Sequence, residues 1–377
     1  MKILYVSFNV NHHQVPFVEA LMQFVGKENV KYAAIHTFEQ SRVQMGMGVY
    51  KADWIIDIKS ERSIFENYWM SADVVLCNVR DFYELFEKRL KTGKLTFYYS
   101  ERWFKEPFGL WRLLHPHILS LLFKYHTLSK YSNFYYLPQG YYAYGDLKKF
   151  NIFKNKAYKF GYITPTCDYS NEENGVQYLL KDNVNIIWAG KIHHVKRVDL
   201  LAKAFVNVYS KYPNCHLTII GDGEEKAKVE KILEQLPADS YSLLSYVKNS
   251  VLHQYMRQAD IYVFPSNGAE GWGAVVNESM TEGCAVVVSD KAGAISMIEN
   301  GVNGLVFKSE DLKSLTQCIE RLVCDKAYIE SIKQAAKETI IKEWNATNAA
   351  KKFLQLCQSL ENGKEFLCSS GVFEQLQ

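Results

Sequence analysis

The feature that most constrains the fold is an alternation of apolar, strand-like runs with amphipathic helical stretches, which occurs twice along the 377 residues. The first series begins with KILYVSF (2–8) and includes LTFYYS (95–100). The second begins with NIIWAG (185–190) and includes IYVFPS (261–266). Alternation of this kind predicts a parallel sheet covered by helices, so its repetition predicts two α/β domains.

A polar stretch between the two series marks the domain boundary. Residues 164–184 contain few apolar residues and include proline and glycine, which interrupt helices and strands. We therefore predict an amino-terminal domain over 1–165, a carboxyl-terminal domain over 166–345, and a helical tail over 346–377 that crosses back to the first domain. Paired domains of this type usually bind ligands between them, at the carboxyl ends of the strands.

Composition excludes several classes of protein. The 44 Lys and Arg residues against 41 Asp and Glu give a net charge of +3, which is too small to indicate a nucleic-acid-binding protein. A charged fraction of 23% beside 14% aromatic residues excludes a disordered chain. The eight cysteines form no CxxC pair and no Cys/His metal spacing, which favours a reducing cytosol. We expect neither a targeting segment nor a membrane-spanning helix, because no apolar run approaches about 20 residues.

The loop GAEGWG contains the first group of candidate binding residues. Glu270 lies in this loop, just after a predicted strand, and Gly271 and Gly273 allow the backbone to approach a ligand and donate amide hydrogen bonds. The helix that begins near Ala274 presents its amino terminus at the same point, which suits an anion such as phosphate. The alternative is a solvated helix start with acidic residues near its positive end.

A second group combines a carboxylate with cations. Glu278 lies in the helix that follows the glycine loop, where it can accept a bidentate hydrogen bond from a vicinal diol such as ribose. Another strand ends at Gly190 and is followed by Lys191, Lys196 and Arg197, which are well placed to bind a diphosphate. The alternative for these cations is a solvated basic loop.

These two groups carry a family resemblance. Together with GDGEE (221–225), SYV (245–247), QADIYVFPS (258–266) and IENGVNGLVF (298–307), they resemble the carboxyl-terminal domain of family-4 glycosyltransferases of the GT-B fold. The best-known mark of that family is a pair of glutamates separated by seven residues, which here is Glu270 and Glu278. The stretches NHHQVPFVEAL, GKLTFYYSERWF and GLWRLL are similar to bacterial surface-polysaccharide glycosyltransferases within the family.

The resemblance implies a fold and a set of roles. The fold is α/β of the GT-B type, with two Rossmann-like domains facing each other across an interdomain cleft. Glu270 would hold hydroxyls of a donor sugar, Glu278 would hold the ribose, and Lys191 and Lys196 would neutralise the departing diphosphate. The implied site for the nucleotide-sugar comprises Gly190, Lys191, Lys196, Val247, Glu270, Gly271, Trp272, Gly273, Ala274 and Glu278.

The chain departs from the family pattern in two places. Family members commonly carry Arg where Lys191 stands and Lys–Gly where this chain has Lys196–Arg197, and lysine lacks the planar fork of arginine. The glycine-rich loop usual after the first strand is replaced by NVNHHQVP. This replacement makes His12 or His13 a candidate for the contact that the loop would make.

The amino-terminal domain contributes further candidates. His13 can donate to a phosphate or help to position an acceptor. Glu101 and Arg102 follow the strand LTFYYS and can contact the acceptor, and Glu101 can assist its deprotonation. The alternatives are an exposed loop histidine and a structural ion pair at the rim of the domain. The candidate catalytic residues are therefore Glu270, Lys196, Lys191, His13 and Glu101.

The segment 102–126 predicts a membrane-facing surface. It mixes aromatic and aliphatic residues with Arg, Lys and His, and such a mixture suits the interface of an anionic bilayer. The predicted apolar anchors are Trp103, Phe104, Phe108, Trp111 and Leu113. The predicted cationic residues are Arg102, Lys105, Arg112 and Lys124. The alternative is a pair of core-facing helices with a few surface cations.

The resemblance implies a retaining hexosyltransferase that moves a sugar from a nucleotide-sugar to a lipid-linked oligosaccharide in capsule, exopolysaccharide or lipopolysaccharide synthesis. Its expected location is the cytoplasm, peripherally bound to the inner face of the cytoplasmic membrane, with no nucleic-acid partner. We expect no metal and no cofactor, because the chain has no Asp-x-Asp motif or His cluster near the site. The alternatives are a catalytically silent nucleotide-sugar-binding subunit and a GT-B nucleotide-sugar epimerase. The presence of both Glu270 and Glu278 argues against the silent subunit.

Overall fold

The structure is a computed structural model that describes residues 1–10, 12–37, 52–165, 183–368 and 370–376. It divides into two compact units, one formed by Met1–Pro165 with Glu343–Gln377 and the other by Thr166–Lys342. Most of the polar stretch predicted to hold the boundary, residues 166–182, lies outside the described residues.

The first unit is built on an eight-stranded sheet. Its strands are β1 (Ile3–Asn9), β2 (Val30–His36), β3 (Ile55–Asp57), β4 (Val74–Cys77), β5 (Thr96–Ser100), β6 (Phe134–Pro138), β7 (Ala157–Tyr158) and, near the end of the chain, β14 (Gln375–Leu376). They lie in the order β14-β7-β6-β5-β4-β1-β2-β3. Every neighbouring pair is parallel except β14 and β7, which are antiparallel. Parallel strands need helical crossovers, which the predicted helical stretches provide.

The helices of the first unit include one from the end of the chain. They are α1 (Val15–Val25), α2 (Arg62–Ser71), α3 (Tyr83–Leu90), α4 (Pro116–Leu128), α5 (Ala143–Lys148) and α12 (Ala346–Glu361). The Phe353 ring of α12 lies 5.8 Å from the Phe17 ring of α1, and both side chains are fully buried. The carboxyl-terminal helix therefore forms part of the core of the first unit.

Aromatic side chains dominate the centre of that core. The Tyr98 ring of β5 lies 4.6 Å from Tyr125 and 5.6 Å from Tyr136, and Phe153 lies 5.2 Å from Tyr136. All four side chains are buried. Rings at these separations pack with favourable offset or edge contacts in addition to the area that they bury.

One arginine is buried inside the first unit. Arg89, in α3, is fully shielded from solvent, and burial lowers the pKa of its guanidinium to about 10. It donates to the Thr96 hydroxyl and to four backbone carbonyls, those of Trp69, Ala72, Asp73 and Leu95. Arg89 therefore connects the end of α2 to the start of β5.

The second unit has a six-stranded, fully parallel sheet. Its strands are β8 (Val184–Ala189), β9 (Cys215–Ile220), β10 (Tyr241–Leu244), β11 (Ile261–Phe264), β12 (Ala285–Ser289) and β13 (Leu305–Phe307). The order β10-β9-β8-β11-β12-β13 is that of a Rossmann fold, in which successive strands move outward first to one side of the first strand and then to the other. The crevice used for ligands lies where this direction reverses, between β8 and β11.

Helices cover the second sheet. They are α6 (Val198–Tyr209), α7 (Lys226–Leu233), α8 (Asn249–Gln258), α9 (Ala274–Thr281), α10 (Leu312–Val323) and α11 (Lys326–Lys342). The core is mainly aliphatic, with Leu, Ile and Val from the strands packing against α6 and α10. The prediction of two Rossmann-like α/β units is therefore confirmed. β10 ends at Leu244, so the motif SYV (245–247) lies in the loop that follows it.

Candidate functional site

The candidate site lies along the carboxyl edge of the second sheet. The strands end in register there: Ala189 and Leu244 both pair with Ile220, and Phe264 pairs with Val288. The loops that follow these strands therefore leave the sheet at one edge. Two of them, after β8 and after β11, hold most of the predicted site residues and flank the point where the strand order reverses.

Direct contacts join these two loops. The Asn267 amide donates to the Val195 carbonyl at 2.9 Å. The Lys196 ammonium lies 2.5 Å from a carboxylate oxygen of Glu270, and each side chain is about one-fifth exposed (21% and 20%). The structure thus brings the two principal predicted residues into an ion pair that faces solvent.

A turn built by Asn267 holds Glu270 in place. The Asn267 side-chain oxygen accepts from the Ala269 amide at 3.1 Å, and its carbonyl accepts from the Glu270 amide at 3.2 Å. Sequence reasoning assigned no role to Asn267. The available signal was an asparagine directly after a strand, a position where its side chain often stabilises a turn.

Gly273 is required at the start of α9. Its φ of +93° lies in the left-handed region, and an added Cβ would lie 2.6 Å from the Phe264 ring. The same ring lies 5.6 Å from the Lys196 ammonium. Phe264 thus supports both the lysine and the glycine loop. Its role was missed because the sequence identifies it only as a strand residue.

The loop before α9 is anchored by Trp272. This side chain is buried, and its indole N–H donates to Asn277 in α9 at 2.7 Å. Gly271 is also buried, whereas Ala274, the first helical residue, is partly exposed. The backbone amides of a first helical turn have no partner within the helix, and they can bind an anion.

Glu278 lies further along α9. Its side chain is buried, and burial raises the pKa of its carboxyl above the usual value. His253 opposes this shift, and Glu282 adds to it. The prediction that Glu278 lies in the helix that follows the glycine loop is confirmed, and its carboxyl is buried.

The remaining predicted donor-site residues follow β8 and β10. Lys191, just after β8, is exposed to solvent. Gly190 lies against the GDG turn, since a Cβ at Gly221 would be 1.8 Å from the Gly190 carbonyl oxygen. Val247 is half-buried beside Tyr246, whose hydroxyl donates to the Asp222 carbonyl at 3.0 Å. These contacts bring three loops together at one edge.

Arg197 has a structural position. Its φ of +49° is left-handed, a conformation that glycine adopts without strain, and the resembled family commonly has glycine there. Its guanidinium pairs with Asp199 at 3.1 Å and with Glu310. The basic pair Lys196–Arg197 is therefore divided, with the lysine facing Glu270 and the arginine held in ion pairs.

One group on this edge could hold a metal ion. The ligand atoms of His193, His194 and Glu224 lie within 4.8 Å of one another. The fold brings Glu224 to two adjacent histidines, a group that the sequence pattern did not indicate, and the expectation that no metal is used stays a prediction. One imidazole nitrogen, Nδ1 of His193, already accepts from the Val195 amide at 3.3 Å.

The candidates of the first unit also come together at a carboxyl edge. The His13 ring lies 5.5 Å from the Tyr162 ring, and the Tyr162 hydroxyl donates to Glu101 at 3.0 Å. Glu101 also pairs with Lys105. Tyr162 was missed because it lies far along the chain from both residues. It links two predicted residues whose roles remain predictions.

The structure corrects part of the predicted membrane surface. Trp103 and Phe104 are not exposed anchors, because they are buried at 0% and 2% exposure. The Trp103 ring packs 5.4 Å from Tyr125, and the Arg80 guanidinium lies 4.2 Å from it. Trp103 and Phe104, at the beginning of the segment, therefore belong to the aromatic core of the first unit.

The later part of the segment is exposed. Phe108 and Trp111 are 62% and 75% exposed, and Leu113 is half-buried. We define the apolar surface as the exposed apolar residues of this region, Phe108, Leu110, Trp111, Leu114, Leu119 and Phe123. Two of the predicted cations are held within the unit, since Arg102 pairs with Asp146 and Lys105 pairs with Glu101. Among the described helices, none is both long and apolar enough to span a bilayer.

Comparison with known proteins identifies the second unit. Residues 170–339, just under half of the chain, match the family model for glycosyl transferases group 1. The second unit is a group 1 glycosyltransferase domain. Lys196, Glu270 and Glu278 all lie inside the matched range.

Curated relatives share this domain at modest identity. The chain is 26% identical to the capsular polysaccharide biosynthesis glycosyltransferase CapM of Staphylococcus aureus, over 48% of this chain and 47% of that protein. It is 29% identical to the alpha-monoglucosyldiacylglycerol synthase of Acholeplasma laidlawii, over 41% of this chain and 38% of the relative. The chain therefore matches less than half the length of either relative.

Solved structures extend the likeness to both units. HepE of Anabaena, solved in complex with UDP, superposes with a TM-score of 0.69 at 13% identity and covers 95% of this chain and 100% of its own. TarM, a protein of Staphylococcus aureus, gives a TM-score of 0.56 at 16% identity, over 76% of this chain and 55% of its own. At these identities the likeness concerns the fold, and the predicted GT-B class is confirmed.

Proposed function

We propose that the protein transfers a hexose from a nucleotide-sugar to a lipid-linked oligosaccharide, with retention of configuration, in capsule, exopolysaccharide or lipopolysaccharide synthesis. The relatives' names support this class of reaction, since they include a capsular polysaccharide glycosyltransferase and a glycolipid synthase. Retention follows from the resemblance of the Glu270–Glu278 pair to family-4 enzymes.

The observation that carries the proposal is the ion pair between Lys196 and Glu270 at the reversal point of the second sheet. A nucleotide-sugar joins its sugar to its diphosphate through a single anomeric C–O bond. A carboxylate suited to sugar hydroxyls therefore has to lie next to a cation suited to phosphate, and here the two groups are in contact.

In this proposal the cations stabilise the leaving group. Lys196 and the exposed Lys191 bind the diphosphate together with the first turn of α9, and their charge balances the negative charge that develops as the anomeric bond breaks. Glu270 binds sugar hydroxyls, and its effect grows as positive charge develops on the sugar. Glu278 binds the ribose, and the Val247 backbone contacts the base.

The first test separates an enzyme from a silent binding subunit. UDP-, GDP- and ADP-sugars are screened by thermal shift, because a ligand that binds only the folded state raises its stability. A stabilising nucleotide-sugar is then incubated with the protein alone, and slow release of nucleoside diphosphate is expected. Binding without release would favour the silent subunit. Conversion to an epimeric sugar would favour the epimerase, and a product with inverted anomeric configuration would contradict retention.

We also propose that the protein works peripherally at the cytoplasmic face of the membrane. The apolar surface supports this, because its large apolar side chains lie on a short helical segment (109–114) and on the adjoining α4. Leu119 and Phe123 are one turn apart and so share one face of α4. A lipid-linked acceptor holds its reactive end near the headgroups, so an enzyme that acts on it has to approach that surface.

The membrane proposal is tested by co-sedimentation with phosphatidylcholine vesicles, with and without phosphatidylglycerol. Replacement of Phe108, Trp111 and Phe123 by Ser should lower binding at least about tenfold, because each ring contributes roughly 1.5–3 kcal/mol on burial. Replacement of Ile64 and Met70, exposed apolar residues of α2, is the matched control and should change little. Salt should have a modest effect, since Arg102 and Lys105 are paired. Equal sedimentation of all variants, or none by the wild type, would refute the proposal.

A further inference from the structure

A buried cluster of charged and polar side chains lies where α8 meets α9. Nδ1 of His253, in α8, lies 2.9 Å from one carboxylate oxygen of Glu282, just past the end of α9. Arg257, one turn along α8, donates to the other oxygen at 2.9 Å. The His253 and Glu282 side chains are each only 4% exposed, whereas that of Arg257 is 39% exposed.

The cluster acts on the carboxylate assigned to the ribose. Glu278 and Glu282 are four residues apart, and the Glu282 amide donates to the Glu278 carbonyl at 3.1 Å, so both carboxylates lie on one face of the helix. Two buried carboxylates in this arrangement disfavour each other's ionised form. His253 has the opposite effect on Glu278, since it lowers the pKa that burial and Glu282 raise.

A ribose diol needs Glu278 ionised, because only a carboxylate accepts hydrogen bonds with both oxygens. Arg257 donates to one oxygen of Glu282, and a carboxylate has no proton to donate, so Nδ1 of His253 can donate to the other oxygen when Glu282 is a carboxylate. His253 and Arg257 together compensate the charge of Glu282, and without them a buried charge would lie unpaired beside Glu278.

We propose that His253 is a positioning residue for the nucleotide site: it holds Glu282 and thereby keeps the neighbouring Glu278 ionised and oriented toward the ribose diol of a nucleoside diphosphate. This inference rests on the proposed function, because it deepens the role assigned to Glu278. Nothing in the family resemblance required a histidine or a second carboxylate at these positions.

The test measures discrimination for the ribose diol, which general destabilisation would not change. Dissociation constants are measured for UDP and 2′-deoxy-UDP, with GDP and 2′-deoxy-GDP in parallel. We expect the wild type to prefer the ribose form by roughly tenfold, the scale for loss of a hydrogen bond to a charged group. Glu278→Gln and His253→Leu should each reduce this preference to about onefold to threefold.

The matched control is His216→Leu, since His216 is another buried histidine of the second unit, in β9, with a hydrogen-bond contact to Ser242 at 3.1 Å. It should keep the wild-type preference. Removal of the Glu282 charge should rescue His253→Leu, so the double variant His253→Leu with Glu282→Gln should recover most of the preference. This double variant also provides the test if His253→Leu alone does not fold.

The outcomes separate this inference from the proposed function. If no nucleoside diphosphate binds, or if Glu278→Gln keeps the wild-type preference, the assigned role of Glu278 fails and the inference fails with it. If Glu278→Gln loses the preference while His253→Leu retains it, only the inference is overturned. A double variant that discriminates no better than Glu278→Gln also overturns it.

Discussion

The two units of this protein share a strand order and differ in the loops and cores built on it. Six neighbouring strands of the first sheet lie in the order β3-β2-β1-β4-β5-β6, and those of the second lie in the order β10-β9-β8-β11-β12-β13. In both sheets the first strand of the unit is third in this order. After β8 the chain presents Lys191 and Lys196, of which Lys196 pairs with Glu270, whereas after β1 it presents His12 and His13. The same scaffold thus supports a cationic edge, with lysines beside His193 and His194, in the second unit and a pair of histidines in the first.

The cores differ as much as the loops. Stacked tyrosines and a buried arginine fill the first unit, whereas aliphatic side chains fill the second. Similar topologies from such different residues indicate that the period of the apolar pattern and the right-handed crossovers determine the sheet. The amino acids at particular positions then determine what each sheet edge can bind and how each core packs.

The largest expected effect is the loss of sugar transfer when Glu270 of the second unit is replaced. Glu270→Gln should lower the rate of sugar transfer on the order of 10³-fold, because the amide lacks the charge that stabilises the developing cation. Activity assays with thermal unfolding of the same samples check this, and the unfolding temperature should be unchanged. Glu299→Gln, at an exposed glutamate of the same unit, is the control. A Glu270→Gln variant with near-normal turnover would contradict the assignment.

The next effect concerns the stability of the first unit. Arg89→Met should cost about 3 kcal/mol, since it leaves several buried carbonyls without their donor. Hydrogen exchange should show lost protection in β4 and β5 while β8 and β11 keep theirs, which also reports whether the units unfold separately.

The control for Arg89 is Arg62→Met, in which an exposed pair with Glu66 is lost. Such surface pairs contribute at most about 0.5 kcal/mol. Equal effects of the two variants would mean that the buried arginine contributes no more than a surface one.

A smaller effect sharpens the role of the cationic edge. Lys196→Ala should weaken UDP binding by about 2 kcal/mol, the scale of a charge-assisted contact, and leave uridine binding unchanged, because uridine lacks the phosphates. Titration calorimetry with both ligands measures this. Lys203→Ala, on the exposed face of α6, should change neither. Equal losses for UDP and uridine would mean that Lys196 does not touch phosphate.

The smallest expected effect is that of metal removal. Activity should survive EDTA, because the proposed mechanism uses lysines and a helix amino terminus to balance the diphosphate charge. The cluster of His193, His194 and Glu224 gives this prediction a specific alternative. The alternative would be shown if EDTA abolished activity and a divalent ion restored it. If the ion failed to restore activity in a His194→Ala variant, the metal would be assigned to that cluster.

Part of the site was predictable from local sequence. Glycines beside Glu270, lysines after a strand and the spacing to Glu278 are local patterns with direct chemical meaning, and the structure places these residues on the predicted loops and helix. The contact between Lys196 and Glu270 was not predictable, because the two residues are 74 positions apart and meet only through the order of β8 and β11.

Exposure along 102–126 was the least predictable feature. Trp103 and Trp111 have the same side chain in similar surroundings along the chain, yet one is buried and the other is three-quarters exposed. Only the placement of Tyr98 and Tyr125 beneath the segment decides between them.

The sequence by itself determined the two α/β units and the residue types at the candidate site, because strand and helix periods and glycine loops are local properties. The tertiary structure alone decided which side chains meet and which remain exposed, because those depend on residues distant in the chain that pack against each other.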